Sequence, residues 1–305
     1  MKNLMTLVLV MILPVFFTAC EKEEIDFQKS PPSDPRKHSV LDEAIQSKLY
    51  WYNMNNGQQI NLNTLGIYHN EIIDIFNQNQ DWMIFEHDKC KYVNTVNAKL
   101  NTILSNNNQY KYFFGQPTDD CTEYINTFKR YTSMRDPFQK IALNKQVIER
   151  TFPEILQSGL MTEEELEIVK DIFSSLDSQK KFEETNISQL LEDWELSEKG
   201  KMAGLFSGSI ITIYLYSSDY WTRFSEEDQT IRLRANRFAK WIAGPVLGDI
   251  GGGWWEGIKW IRKNRYYINN GYTVVPDGNG GWVSAADSFL GAVGVGALEG
   301  SILPF

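Results

Sequence analysis

Two stretches near the C-terminus decide how this chain folds. They are Gly244-Pro245-Val246-Leu247-Gly248-Asp249-Ile250-Gly251-Gly252-Gly253 and Ser288-Phe289-Leu290-Gly291-Ala292-Val293-Gly294-Val295-Gly296-Ala297-Leu298-Glu299-Gly300. In the first, Gly244, Gly248 and Gly252 recur every four residues. In the second, Ser288, Ala292, Gly296 and Gly300 do the same. On a helix that spacing lines small residues along one ridge and lets another backbone approach closely. Each glycine costs a helix about 1 kcal/mol relative to alanine, so several per segment require a packing reason. Pro245 and the run Gly251-Gly252-Gly253 predict a break or kink in the first segment.

Two readings follow. Paired glycine-ridge helices with aromatic flanks resemble pore-forming or bacteriocin-like hairpins. The same pattern also suits two tightly packed helices of a globular domain. Neither segment reaches about 20 uncharged apolar residues. Asp249, Glu256, Asp287 and Glu299 would each be costly in lipid. The packed-helix reading is therefore the expectation, and a membrane-active, antagonistic protein is the alternative.

Outward from these stretches the pattern stays helical. Val40 to Met54, Leu65 to Phe76, Cys90 to Leu104 and Thr118 to Tyr131 each place apolar residues on one stripe at helical spacing. Asp136-Pro137 opens a helix to about Arg150, Thr162-Glu163-Glu164-Glu165 is a capping box, and Ser188 to Trp194 is shorter. Within Lys201 to Trp221 the β-branched run Ile210 to Tyr216 suits helix or strand, and its length favours a buried helix; Ser225 caps another to about Ala243, and Ser284 with Asp287 caps a last one to about Leu298. Tyr272 to Val275 and Gly281 to Val283, joined by Pro276-Asp277-Gly278-Asn279-Gly280, read as a β-hairpin near 272–283. The expected fold is mainly α: a multi-helix globular domain with a glycine-rich helical C-terminal region and one short hairpin. A composition shift near Gly200 separates residues 40–200 from 201–305. Residues 20–200 carry nineteen basic and thirty acidic groups, whereas 201–305 carry ten and nine. Sixteen of the 21 glycines and six of the nine tryptophans follow residue 200.

The N-terminus carries a different signal. Lys2 is followed by an apolar run, Leu4 to Ala19, about 24 Å long as a helix and short of the ~30 Å hydrocarbon core. It reads as a secretory leader over 1–19. It ends in Phe17-Thr18-Ala19-Cys20, which resembles the lipobox of bacterial lipoproteins, although Phe17 stands where leucine is usual. The resemblance implies acylation of Cys20, palmitate included, and anchorage to the bilayer. Glu21-Lys22-Glu23-Glu24 behind it is similar to the surface-export signal of Bacteroidota-type lipoproteins, and equally to a plain solvated tether. Residues 20–39 form an acidic, proline-rich stand-off built on Pro31, Pro32 and Pro35. The expected address is the cell envelope, at the outer membrane, in one reading surface-exposed. Of three cysteines, Cys90 and Cys121 remain once Cys20 is lipidated. Both lie on apolar stripes of neighbouring helices, where a disulfide would form in an oxidising compartment; two buried thiols are the alternative.

The net charge of −9 argues against a nucleic-acid partner, and three histidines nearly exclude a multi-histidine metal site. No Gly-x-Ser-x-Gly, P-loop or Rossmann glycine pattern is present. No cofactor is indicated. Trp254, Trp255, Trp260, Arg262, Lys263 and Arg265, followed by Tyr266 and Tyr267, form a basic-aromatic cluster. It is the candidate ligand site for a glycan, peptide or protein, unless its tryptophans are simply core. A joint site of His69, Glu71 and His87 would need tertiary folding to assemble it; otherwise His69 closes a helix contact through a backbone carbonyl. The segment Gly66-Ile67-Tyr68-His69-Asn70-Glu71 resembles a Gly-x-x-His-Asn-Glu pattern of exported bacterial proteins that also carry glycine-rich C-terminal regions. That resemblance implies no activity. The expected function is that of a membrane-anchored envelope lipoprotein acting as a binding module.

Overall fold

The structure is a computed structural model that describes residues 43–52, 59–78, 89–117, 145–177, 187–227 and 235–302. The chain is mainly α. Its helices are α1 (Glu43–Gln46), α2 (Asn63–Gln78), α3 (Lys89–Asn106), α4 (Tyr110–Phe113), α5 (Phe152–Ser158), α6 (Glu163–Asp177), α7 (Ile187–Leu196), α8 (Leu205–Glu227), α9 (Ala235–Asn269) and α10 (Ala285–Ile302). Residues 145–149 are also helical. Among the described residues, two antiparallel strand pairs accompany them. β1 (Tyr50–Tyr52) pairs with β2 (Gln59–Asn61), Trp51 opposite Ile60; β3 (Val274–Pro276) pairs with β4 (Trp282–Ser284), Val275 opposite Val283.

α10 is the centre. Most of its side chains are buried, so it shows no polar face. α9, α2, α8, α4 and both strands of the second hairpin pack on it. One apolar core joins Leu65 and Ile72 of α2, Leu100 of α3, Val169 of α6, Leu191 of α7, Ile211 of α8, Ile258 of α9 and Leu290 of α10. Residues on both sides of Gly200 thus share that core.

The small-residue ridge is a contact between α9 and α10. A Cβ on Gly252 would fall 2.0 Å from the Gly296 carbonyl oxygen, and one on Gly300 would fall 2.0 Å from that of Gly248. Further along, the Trp260 indole donates to Ser288 Oγ at 2.9 Å. Residue numbers rise on one helix as they fall on the other, so the pair is antiparallel. Gly244 does not join the ridge and has open space around it. A second ridge on α10 faces the end of α4. A Cβ on Gly294 would meet the Phe113 carbonyl oxygen at 2.2 Å, and the Gly115 amide donates to the Gly291 carbonyl at 2.7 Å.

Several expectations are corrected. α9 runs without interruption through Pro245 and Gly251–Gly253. Burial of Val246, Leu247, Ile250, Trp254 and Ile258 along one face outweighs the poor local propensity. Ser225 lies inside α8 rather than at the start of a helix. Among the described residues of the expected Val40–Met54 helix, Glu43–Gln46 is helical, whereas Tyr50-Trp51-Tyr52 pairs as a strand, which aromatic residues favour. The expected helix from Thr118 to Tyr131 and the start at Asp136-Pro137 lie outside the described residues.

Other local signals hold. The Thr162 capping box is reciprocal: Glu165 N donates to Thr162 Oγ1 at 3.2 Å and Thr162 N to Glu165 Oε2 at 2.9 Å. Glu165 is fully buried and also accepts from Gly200 N at 3.0 Å and Ser207 Oγ at 2.6 Å, joining α6 to the start of α8. Ser284 Oγ accepts from Asp287 N at 3.4 Å ahead of α10. Among the described residues, no helix is long and apolar enough to cross a membrane.

Candidate functional site

Three places can be weighed: a buried polar cluster around His69, the basic-aromatic cluster of α9, and the aromatic surface of the second hairpin.

The buried cluster joins four helices. His69 and Asn70 of α2, Ser217 and Trp221 of α8, Asp249 of α9 and Ser301 of α10 meet where the helices cross. His69 is 1% exposed and Asp249 0%. Asn70 Nδ2 donates to the Tyr216 carbonyl at 3.0 Å, so its Oδ1 faces His69 Nδ1, also at 3.0 Å, and fixes the proton on that nitrogen. His69 Nε2 lies 3.2 Å from Ser301 Oγ and 3.8 Å from Asp249 Oδ2. Asp249 also accepts from Ser217 Oγ, Ser301 Oγ and, at 3.3 Å, Trp221 Nε1. Burial pushes its carboxyl above the ordinary carboxylate range, and His69, Ser217, Ser301 and Trp221 pull against that rise.

Serine, histidine and aspartate side by side invite a catalytic reading, but the geometry differs from one. A catalytic acid orients the ring through Nδ1; here Asn70 holds Nδ1, and Asp249 sits on the Nε2 side, taking the Ser301 proton for itself. The cluster is a clasp between helices. His69 therefore closes its contact through side chains rather than a backbone carbonyl. Glu71 turns away, hydrogen-bonding Tyr110, whose phenol burial and Glu71 together push up to about 12. His87 lies outside the described residues.

The clasp also explains the Gly-x-x-His-Asn segment in physical terms. A Cβ on Gly66 would fall 2.3 Å from the Tyr216 ring, one turn before His69 and Asn70 reach α8 and α9. No local signal revealed the rest: Ser301 is 232 residues from His69 and 52 from Asp249.

Helical rotation divides the basic-aromatic cluster. Trp254 is 0% exposed, its indole donating to Thr151 Oγ1 at 2.8 Å among Phe152, Phe173 and Phe206. Trp260 is buried against Phe289 with its indole on Ser288. Both are core residues and offer no ring face to solvent. Trp255 is half-buried with Arg262 5.5 Å above its ring. Glu154 of α5 binds Arg262 through two oxygens, at 2.8 and 3.1 Å, and Arg265 at 3.1 Å. The Arg262 hydrogen bond, with both guanidinium charges, holds the Glu154 carboxyl below its ordinary value. These two arginines fasten α5 to α9; Lys263 is exposed. Cys90, on α3, is disulfide-bonded. Cys20 and Cys121 lie outside the described residues.

Among the described residues, the most exposed aromatic side chains lie just beyond that cluster. Tyr266 is 66% exposed, Tyr272 49% and Trp282 58%, and Val274 and Val283 of the hairpin are also exposed. All three rings stand around half-buried Tyr267, which meets them edge-on at centroid distances of 5.4, 5.8 and 5.6 Å respectively. Tyr266 and Tyr272 are nearly parallel, 6.4 Å apart.

Among the described residues, no group of three or more His, Cys, Asp or Glu side chains is placed to hold a metal ion. Comparison with protein-family models, with curated proteins and with solved structures finds no match to this chain.

Proposed function

We propose that this chain is a lipid-anchored envelope protein of a diderm bacterium whose helical body is a binding module. The observation that carries the anchor is the short apolar run Leu4 to Ala19 ending at Cys20, with an acidic, proline-rich tether behind it. Acyl chains on Cys20 hold the protein at the outer membrane, and the tether stands the body away from the lipid. The bridge at Cys90 suits an oxidising compartment outside the cytoplasm, and the proposed partner is Cys121, the other cysteine of the mature chain.

The binding reading is supported by the exposed ring set at the second hairpin. Its partners are the bilayer, through the acyl chains, and a glycan, peptide or protein ligand at the body. The glycine ridges, on which a membrane-active reading would lean, are occupied in packing α9 and α4 against α10.

Metabolic labelling with an alkynyl fatty acid in a diderm host tests the anchor. The full-length protein should take up label, Cys20→Ala should take up none, and globomycin should accumulate the unprocessed form. Label that persists in Cys20→Ala removes the proposal.

A further inference from the structure

We propose that Tyr266, Tyr272 and Trp282 form a stacking platform for a neutral oligosaccharide; this rests on the binding-module reading and names its ligand class.

Three observations converge. First, the rings are held ready. Tyr267 braces all three edge-on, an arrangement aromatic pairs favour. The hairpin beneath them is pinned by fully buried Val275, by Ala285 N donating to the Thr273 carbonyl at 2.9 Å, and by Tyr272 N donating to the Tyr267 carbonyl at 3.0 Å. Its turn is clamped by Asp277, whose Oδ1 accepts from Asn279 N and Gly281 N, both at 2.8 Å. A ligand meeting rings already fixed in place loses little affinity to ordering them.

Second, the ring-bearing segment itself supplies no cation; exposed Lys263 stands one turn before Tyr266. Residues 266–284 contain no lysine or arginine, and nearby Arg265 is bound to Glu154. A phosphate, an acidic peptide or an anionic lipid surface would meet no free cation within that segment.

Third, the exposed polar side chains of the same segment are amides and a carboxylate: Asn269, Asn270, Asn279 and Asp277. Amides and carboxylates hydrogen-bond paired hydroxyls, while ring faces cover the C–H faces of a pyranose. Three rings with Val274 on the same hairpin face are also far fewer than the roughly 20–30 residues a side of a stable protein–protein interface.

The test is affinity electrophoresis of the detergent-solubilised full-length protein in gels containing neutral polysaccharides: α-glucan, β-glucan, mannan and xylan in turn. Parallel samples are floated with zwitterionic and anionic vesicles. The expected result is retardation in at least one gel, weakened at least tenfold by Trp282→Ala and by Tyr272→Ala and largely kept by Trp282→Phe. Unchanged thermal unfolding of the alanine variants guards against misfolding. No retardation in any gel, or retardation indifferent to both alanine variants, overturns the platform. Loss of vesicle flotation in those variants without any polysaccharide effect assigns the face to a membrane and also overturns it. Acylation at Cys20 is measured separately, so failure here leaves the anchor standing.

Discussion

Gly252 and Gly296 stand backbone to backbone: a Cβ on the first would fall 2.0 Å from the second's carbonyl oxygen, and the reverse contact is 2.3 Å. Neither oxygen can move without shifting a whole helix. The contact couples a local feature, four-residue glycine spacing, to the placement of α10 at the centre of the fold.

Gly252→Ala and Gly296→Ala should therefore each destabilise the protein by about 3 kcal/mol, the upper end for overpacking a filled core. Gly244→Ala, on the same helix but in open space, should be neutral or stabilise by up to about 1 kcal/mol. Denaturant unfolding of the three variants checks this. Equal effects at Gly244 and Gly252 would show that the ridge is not the contact described.

The His69–Asp249 clasp should behave as a buried pair. Removing either partner strands the other, so His69→Ala and Asp249→Ala should each cost about 3–5 kcal/mol. The double variant should cost clearly less than the sum, because both changes remove one shared interaction. Additive losses in a double-mutant cycle would argue that the two groups act separately.

Two carboxyls give opposite pH responses. Glu154 is held below its ordinary value of 4.5 by Arg262 and Arg265, so its stabilising contribution is present above 4.5 and is lost as pH falls through the lowered value. Arg262→Gln should flatten that acid loss. Asp249 is raised above 3.8 by burial, so the folded state holds its proton more tightly and stability falls as pH rises through the raised value. The unfolding-temperature difference, wild type minus Asp249→Asn, should grow as pH drops. Thermal unfolding between pH 3 and 8 reads both signs.

Much of this fold is legible in the sequence because its signals are local. The Thr162 capping box, the glycine spacing, the Asp277-Gly278 turn and the Ser284 start of α10 each depend on residues a few positions apart. What is not legible depends on tertiary burial. Pro245 and three successive glycines weaken a helix by propensity, yet α9 continues because its apolar face is covered on the other side of the chain's fold. Tyr50-Trp51-Tyr52 fits helical and extended spacing alike, and only pairing with Gln59–Asn61 decides it. The basic-aromatic run misleads for a related reason. Residues 254 and 260 look like neighbours of 262 and 265 in sequence, but the helix turns the tryptophans inward and the arginines toward Glu154. The exposed rings come partly from the hairpin, at a sequence distance that hides their meeting.

The Cys90 bridge gives a covalent prediction. Non-reducing mass analysis of peptides should join Cys90 to Cys121, and reduction should separate them. A loop of about 30 residues is worth on the order of 3–4 kcal/mol in the chain-entropy account, so Cys121→Ser should lower stability by that order. A Cys121 peptide that alkylates without prior reduction would contradict the pairing.

The anchor is the claim on which address, tether and display all depend, and the intact mass of the protein isolated from its native membrane tests it most directly. The account predicts a chain that begins at Cys20 and carries the added mass of a diacylglyceryl group, with or without a third acyl chain. A mass that retains Met1, or one that corresponds to an unmodified chain, would contradict it.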